Sequence, residues 1–131
     1  MQRDLPDVVA EVKAEFDRYE QALVTNDVAA LNTLFAEDER TIRFGGGENL
    51  YGYAAIEAFR AARSPQGLAR TLSRTVISTY GRDFAIASTL FHRKSMGEKK
   101  VGRQMQSWVR FPDGWHIVAA HVSVIDAPRE A

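Results

Sequence analysis

The second half of the chain is a succession of long β-type segments, and this feature most limits the folds open to it. Four segments are rich in β-branched and aromatic residues and are separated by the turn sequences YGRD, MGEKK and PDG. Their sequences are LARTLSRTVISTYG, DFAIASTLFHRKS, KVGRQMQSWVRF and GWHIVAAHVSVI. Short turns between successive strands are typical of an antiparallel meander. One face of such a sheet must then be covered by elements from the first half.

The first half is predicted to supply three helices. Residues 4–25 carry apolar side chains at steps of three and four, the pattern of a helix with one buried face, and Tyr19 lies on that face. TNDVAALNTLFAED predicts a short second helix, RTIRFG a short strand, and YAAIEAFRAAR a third helix that ends before Ser64 and Pro65. Because helices come first and strands last, we expect a single α+β domain over residues 1–131.

Composition excludes several classes of function. The 131 residues contain no cysteine, which excludes disulfides, thiolate metal sites and a cysteine nucleophile. Acidic and basic residues balance at 17 each, so nothing indicates a nucleic-acid partner. No apolar run approaches the roughly 20 residues of a membrane span, and the N-terminus lacks the apolar core of a signal peptide. We therefore expect a cytoplasmic protein with no membrane partner.

The basic residues are strongly biased, since 13 of the 17 are arginine. Arginine binds carboxylate or phosphate in a planar, two-pronged way that lysine does not match. A GC-rich genome would produce the same bias without any functional cause. The bias is therefore compatible with an anion site and does not establish one.

The sequence IRFGGGENLYG places three glycines between a strand and a helix, as in many phosphate-binding loops. It lacks the Lys-Ser/Thr pair of such a loop and also the G-x-G-x-x-G spacing, so we do not expect a nucleotide site. The glycines are predicted to form a sharp turn. Arg43 precedes them on the strand, and strand alternation leaves its direction open. Arg60 and Arg63 border the apolar face of the third helix, and the pattern leaves open which of them faces a pocket.

The PDG turn sets the register of the last hairpin. A loop of two or four residues places Gln104, Gln106 and Trp108 on one face with His121 and Ser123, whereas a three-residue loop would reverse this. We expect this face to be covered by the helices, and its polar groups to line a pocket there. The opposite face of the last strand is also apolar, which predicts a homodimer or larger homo-oligomer through the back of the sheet. Its residues are His116, Val118, Ala120, Val122 and Val124.

The strands contain few groups for acid-base or metal chemistry. Between Arg70 and Phe111 the only carboxylates are Asp83 and Glu98, and both fall at predicted turns. No H-E-x-x-H zinc motif and no G-x-S-x-G nucleophile motif occurs, and we expect no metal and no other cofactor. Tyrosine, arginine, histidine, serine and amide groups remain, which suit binding an anion and donating a proton.

Several stretches of the chain resemble the AtzH-like family of the NTF2-like (SnoaL-like) superfamily. They are RYEQAL, RFGGGENLYGYAAIEAFRAAR, TVISTYGRDFAIAS and GRQMQSWVRFPDGWHIVAAHVS, and together they span most of the sequence. The family includes oxalurate-catabolism proteins and a 1,3-dicarboxyurea hydrolase of cyanuric acid breakdown. The resemblance implies a cone in which three N-terminal helices pack on a curved antiparallel sheet around a small pocket.

The resemblance also implies a function in nitrogen metabolism. It implies a small-molecule amidohydrolase that decarboxylates an N-carboxylated urea or similar amide, such as 1,3-dicarboxyurea, to allophanate and carbon dioxide. Tyr19 would donate the proton and Arg43 would bind a carboxylate. The substrate-binding residues would be Asn49, Tyr51, Arg60, Arg63, Gln106, Trp108, His121 and Ser123. The alternative is a non-catalytic metabolite-binding or accessory subunit that supports a pathway amidase, for example in oxalurate catabolism.

Overall fold

The structure, a computed structural model, describes residues 1–128, which form three helices on one face of a six-stranded sheet. The elements in chain order are α1 (Pro6–Val24), α2 (Val28–Leu34), β1 (Ile42–Phe44), β2 (Asn49–Tyr51), α3 (Tyr53–Ala62), β3 (Thr71–Tyr80), β4 (Phe84–His92), β5 (Lys100–Phe111) and β6 (Gly114–Asp126), with a one-turn 3-10 helix (Lys94–Met96) before β5. The strand order is β2-β1-β6-β5-β4-β3, and only the β1–β6 pair is parallel. The predicted α+β class is confirmed, and β2 is an additional short strand.

The core lies between the helices and the inner face of the sheet. Helix α1 buries Val12, Phe16 and Tyr19 along one stripe, as the apolar spacing predicts. These side chains meet the sheet side of the core, where Trp108 and Ile117 are fully buried. The arrangement places the hydroxyl-bearing ring of Tyr19 inside the protein, over the inner face of the sheet.

A β-bulge interrupts the pairing of β5 with β6. The PDG loop contains two unpaired residues, and Trp108 lies opposite Ile117 as that loop dictates. One residue farther from the turn, Ser107 lies opposite Ala119, so Val118 has no partner. An extra residue in one strand of a pair reverses which side chains face inward from that point on.

The bulge overturns the predicted faces of His121 and Ser123. Gln104 and Gln106 remain on the inner, helix-covered face, where both are buried. His121 lies opposite Met105 on the outer face, and Ser123 follows on that same face. The expectation that all four side chains line one pocket is therefore wrong for His121 and Ser123.

The same bulge changes the predicted apolar back of the last strand. Ala120 and Val122 lie opposite the two buried glutamines, so they face the helices and not the back of the sheet. The outer face nevertheless carries exposed apolar side chains from other strands, since Val76 of β3 and Met105 of β5 are each 54% exposed. The predicted back of β6 was thus wrong for Ala120 and Val122.

The parallel pairing of β1 with β6 settles the direction of Arg43. Arg43 lies opposite Ala120, and residues opposite each other in a sheet share a face, so Arg43 is on the inner face. In the β1–β2 hairpin Leu50 lies opposite Arg43. Asn49 and Tyr51, on either side of Leu50, therefore point to the outer face, away from the helices.

Candidate functional site

Five arginines converge on the inner side of the sheet from four separate parts of the chain. Arg43 lies on β1, Arg60 and Arg63 at the end of α3, Arg70 just before β3 and Arg93 just after β4. Among the described residues, two carboxylates form ion pairs with members of this group, one with Arg43 and one with Arg70. An excess of three positive charges therefore remains in a largely buried region.

Arg43 is held by the loop that follows it. Its Nη1 donates to Glu48 Oε1 at 2.9 Å, and its guanidinium lies 5.4 Å from the centroid of the Phe59 ring. A Cβ added at Gly45 would overlap the Glu48 carboxylate, so this glycine makes room for the ion pair. None of the three consecutive glycines has a positive φ, so Gly45 is needed for space and not for a left-handed turn.

Arg70 is the most completely paired arginine of the group. Its guanidinium forms a two-pronged pair with Glu20, with Nε to Oε2 at 3.1 Å, and its Nη2 also donates to Gln104 Oε1 at 2.8 Å. The guanidinium stacks 4.6 Å from the centroid of the Phe91 ring. Arg70 is thus fixed and acts on its surroundings by orienting Gln104.

Arg60 and Arg63 differ in how they are engaged. Arg60 is only 4% exposed; its Nη1 donates to Asn32 Oδ1 at 2.7 Å and its guanidinium lies 4.7 Å from the Phe35 ring centroid. Burial and, to a smaller extent, the nearby charge of Arg63 lower the pKa of Arg60 to about 10. Arg63 has no such anchor, because its Nε and Nη2 are buried without a partner. Arg63 is therefore the member of this pair that remains available to a ligand.

The electrostatics of Arg63 place it at the centre of the group. Burial is the main cause that lowers the pKa of its guanidinium, and the positive charges of Arg43 and Arg70 lower it too, while Tyr19 and Glu48 act in the opposite direction. A guanidinium that is desolvated and lies beside like charges is a candidate for anion binding, because an anion would supply the missing counter-charge.

Arg93 is a second arginine with a free donor. Its Nε is buried without a partner, and its guanidinium stacks 4.9 Å from the centroid of the same Phe91 ring that Arg70 contacts. Burial lowers the pKa of Arg93, and the charges of Arg70 and Arg63 lower it further. Within residues 1–128, no Asp or Glu side chain forms an ion pair with Arg93.

Two glutamine amides complete a set of donors. Gln104 accepts from Arg70 through Oε1, and Gln106 accepts from the indole Nε1 of Trp108 at 3.1 Å through its own Oε1. Because both amide oxygens already accept a hydrogen bond, only the amide nitrogens of Gln104 and Gln106 remain free to donate to a ligand. Both nitrogens are buried without a partner. Trp108 is fully buried and acts on this site through Gln106.

Tyr19 lies among these arginines. Its ring is 5% exposed and packs 6.3 Å from the Phe35 ring, centroid to centroid. The hydroxyl of Tyr53 donates to a backbone carbonyl at 2.8 Å, whereas within residues 1–128 the Tyr19 hydroxyl forms no hydrogen bond. The phenol contributes to the electrostatics of Arg60, Arg63 and Arg93, so its oxygen lies within electrostatic range of these three guanidiniums.

The residues singled out from the sequence fall into two sets. The structure brings together six of them on the inner face: Tyr19, Arg43, Arg60, Arg63, Gln106 and Trp108. It places the other four on the outer face, away from this site: Asn49, Tyr51, His121 and Ser123. Their assignment to the same pocket is wrong, because alternation along β2 and the bulge in β6 turn them outward.

Sequence reasoning missed Arg70 and Arg93. They flank the first and last paired residues of the β3–β4 hairpin, Thr71 and His92, which lie opposite each other. The signal that could have identified them was the length of the two strands on either side of the YGRD turn, which brings both arginines to the same end of the hairpin.

The arrangement is a set of buried hydrogen-bond donors without an acceptor. Five nitrogen atoms belong to it: Arg63 Nε, Arg63 Nη2, Arg93 Nε, Gln104 Nε2 and Gln106 Nε2. Buried donors require a partner, so an anionic or carbonyl-rich ligand would complete the site and offset its charge. Within residues 1–128, no three His, Asp or Glu side chains are placed to hold a metal ion, and no helix is long and apolar enough to span a bilayer.

Comparison with known proteins gives one family and a consistent fold. A family model described as AtzH-like matches residues 1–128. No curated protein matches the chain. Similar solved structures include a protein of unknown function from Pectobacterium atrosepticum (56% identity, 95% of each chain, TM-score 0.91), a cystatin-like fold protein from Burkholderia xenovorans (48% identity, 98% of this chain and 99% of that one, TM-score 0.92), and an NTF2-like superfamily protein from Salmonella enterica (24% identity, 95% of this chain and 94% of that one, TM-score 0.73).

The two close structural relatives cover nearly the whole chain, and the more distant one shares the fold. The family model likewise extends over every residue that the structure describes. The chain therefore belongs to the AtzH-like family and has the NTF2-like fold.

Proposed function

We propose that the protein catalyses the decarboxylating hydrolysis of an N-carboxylated urea or a similar carboxylated amide. The resemblance to the family suggests 1,3-dicarboxyurea as the substrate, with allophanate and carbon dioxide as products. The observation that carries the proposal is the set of buried, unpartnered donors, of which those of Arg63 and Arg93 belong to guanidiniums within electrostatic range of the Tyr19 phenol. A substrate with carboxylate and carbonyl oxygens would supply the acceptors that these donors lack.

Arg43 and Arg63 would bind the carboxylate that leaves as carbon dioxide. Arg63 offers two adjacent free nitrogens, which match the two oxygens of one carboxylate. Arg43 is oriented by Glu48 and adds positive charge from the β1 side. The amide nitrogen of Gln106 would donate to the urea carbonyl.

Tyr19 would act as the general acid. An N-carboxylate loses carbon dioxide when its nitrogen gains a proton: the carbon–nitrogen bond breaks, its electron pair stays on nitrogen, and the phenolic proton forms the new N–H bond. The dianionic substrate and one proton give allophanate and carbon dioxide, so atoms and charge balance. The nearby arginines would stabilise the phenolate, which is reprotonated from water. No enzyme nucleophile is needed for this step.

The magnitude of each contribution sets the expected effect of removing it. A positioned general acid contributes about 10²–10⁴-fold in rate. Tyr19→Phe should therefore lower kcat by about that factor and leave KM within a few-fold. Arg43→Ala should raise KM and lower kcat, because it removes a charge that contacts the reacting carboxylate.

Carbon dioxide release from 1,3-dicarboxyurea by the purified protein is the measurement that tests this. Tyr80→Phe and Arg110→Ala are matched controls, since both residues lie outside the site, and these variants should keep the wild-type rate. Circular dichroism would confirm that each variant is folded. Wild-type rates in both Tyr19→Phe and Arg43→Ala would rule out the mechanism.

The accessory-subunit alternative uses the same donors to bind a carboxylated metabolite without turning it over. It predicts that purified wild-type protein is stabilised by the ligand and releases no carbon dioxide from it. Turnover by the isolated chain would exclude this alternative.

A further inference from the structure

Arg93 lies at the opposite end of the site from Arg43, and it is one of the two site residues that sequence reasoning missed. Arg43 is on β1 and Arg93 follows β4, and these strands are three steps apart in the sheet. At about 4.8 Å per step, the two strands are separated by roughly 14 Å across the sheet. Arg93 also lies six residues beyond Ala87, the β4 residue in register with Arg43. Their side chains thus approach the middle of the site from opposite sides.

The guanidinium of Arg93 stacks on an aromatic ring that is itself fixed in place. Phe91 is fully buried, and a Cβ at Gly102 on the neighbouring strand would overlap its ring, so the ring is fixed against the backbone. Arg70 and Arg93 both stack on this ring, at 4.6 and 4.9 Å from its centroid. Glu20 neutralises Arg70 and leaves Arg93 without a carboxylate.

The neighbouring amide adds a second free donor at this end. Arg70 occupies the oxygen of Gln104, so the Gln104 nitrogen is directed away from Arg70 and has no partner. The Nε of Arg93 is also without one. A surface groove is lined by Arg70 and Arg93 together with neighbouring residues of the β3–β4 and β4–β5 ends, which gives this part of the site contact with solvent.

We propose that Arg93 and the Gln104 amide form a second carboxylate subsite, so that the ligand is a small dianion held at both ends, with Tyr19 at its middle. This inference rests on the proposed function and makes it more specific. The carboxylate that stays in the product binds at Arg93, and the one that leaves binds at Arg43 and Arg63. Arg93 thus selects substrates with two carboxylates over those with one.

Glutarate and pentanoate are suitable probes. Glutarate has the same number of backbone atoms as 1,3-dicarboxyurea and a carboxylate at each end, and pentanoate replaces one carboxylate by a methyl group. Isothermal titration calorimetry on the full chain should show that glutarate binds about 10–100-fold more tightly, the factor expected for one charged hydrogen-bonded contact.

The Arg93→Met variant should lose this preference, so that the two affinities agree within about threefold, while pentanoate binding stays near the wild-type value. Gln104→Glu is a second variant that keeps the acceptor for Arg70 and places a negative charge in the subsite; it too should lose the preference. Arg110→Met, a surface substitution, should retain it.

Three results would overturn the subsite: no binding of glutarate by folded wild-type protein, equal affinities for the two probes, or a preference that survives in both Arg93→Met and Gln104→Glu. The proposed function is tested by a different measurement, so the two proposals can fail independently. If glutarate preference depends on Arg93 while the wild-type protein releases no carbon dioxide from dicarboxyurea, the subsite stands and the activity does not. If the wild-type protein releases carbon dioxide from dicarboxyurea but the preference for glutarate does not depend on Arg93, the activity stands and the subsite does not.

Discussion

Arg63 lies at the C-terminal end of α3, and two of its guanidinium nitrogens are buried without a partner. Burial is the main cause that lowers its pKa, and the positive charges of Arg43 and Arg70 lower it too. Burying an unpaired charge is unfavourable, and a structure retains such a group only where something else requires it. Ligand binding would supply the missing counter-charge. The residue is therefore expected to decrease the stability of the free protein and to be required for binding.

Arg63→Met tests this trade-off. Methionine keeps the length and the apolar stem and removes the charge, so we expect the free energy of unfolding to rise by about 1 kcal/mol. Urea unfolding of the unliganded variant measures this change. Glutarate binding by the same variant should weaken at least tenfold.

The control is Arg82→Met, which removes an exposed arginine that pairs with Asp7 at the surface. Its stability should stay within about 0.5 kcal/mol of the wild type, with unchanged glutarate binding. A marked loss of stability in Arg63→Met would instead assign Arg63 a structural role.

At the scale of residues, the sequence indicated which residue types form the site more reliably than it indicated where each side chain points. Helical spacing placed Tyr19 on the buried stripe, and it lies there. The direction of the Arg93 side chain could not be predicted from the sequence, because the residue lies beyond the last residue of β4, where strand alternation no longer indicates a face. The free ends of the glutamines depend on Arg70 and Trp108, which a local pattern does not pair with them.

At the scale of elements, the type and order of the strands followed from their composition, while the faces of β6 did not. Alternation is reliable only while every residue has a partner, and the unpaired Val118 shifts the pattern by one. Val118 is chemically like its neighbours, so nothing local identifies it as the bulge. The consequence is that His121 and Ser123, which the last-strand pattern placed in the pocket, lie on the outer face.

The contact between β4 and β5 makes an element-scale prediction. Gly102 leaves room for the Phe91 ring, on which Arg70 and Arg93 stack. Gly102→Ala should displace this fully buried ring and lower the free energy of unfolding by about 1–3 kcal/mol. It should also reduce the preference for glutarate over pentanoate, because the platform under Arg93 moves. Urea unfolding and calorimetry on the same preparation measure the two effects.

Gly46→Ala is the matched control for that substitution. Nothing lies within 4 Å of a Cβ added at Gly46, and its φ is not positive. Stability and ligand preference should both remain within experimental error. If Gly102→Ala behaved like Gly46→Ala, the ring would not be fixed as described.

At the scale of the whole molecule, the outer face of the sheet carries two adjacent rows of uncharged side chains, several of them apolar and exposed. One row across it consists of Val76, Ser88, Met105, His121, Phe44 and Asn49, each opposite the next. At about 4.8 Å per strand the row is roughly 24 Å wide. The adjacent row consists of Ser78, Ile86, Ser107, Ala119, Ile42 and Tyr51. Neither row contains a carboxylate. Met105 in the first row is 54% exposed, and Tyr51 in the second row is 65% exposed.

We propose that a second copy of the chain, related by a twofold axis, packs on these two rows, because rows without like charges can pack against themselves. Met105→Glu places a carboxylate at the centre of the face and should convert the dimer to a monomer of 14.7 kDa, while glutarate binding on the inner face is retained. Sedimentation velocity at micromolar concentration measures the mass. Ala14→Glu, at an exposed position on α1, adds the same charge to the helical side and should leave the dimer intact. A wild-type protein that sediments as a monomer, or a Met105→Glu variant that remains dimeric, would contradict pairing through this face.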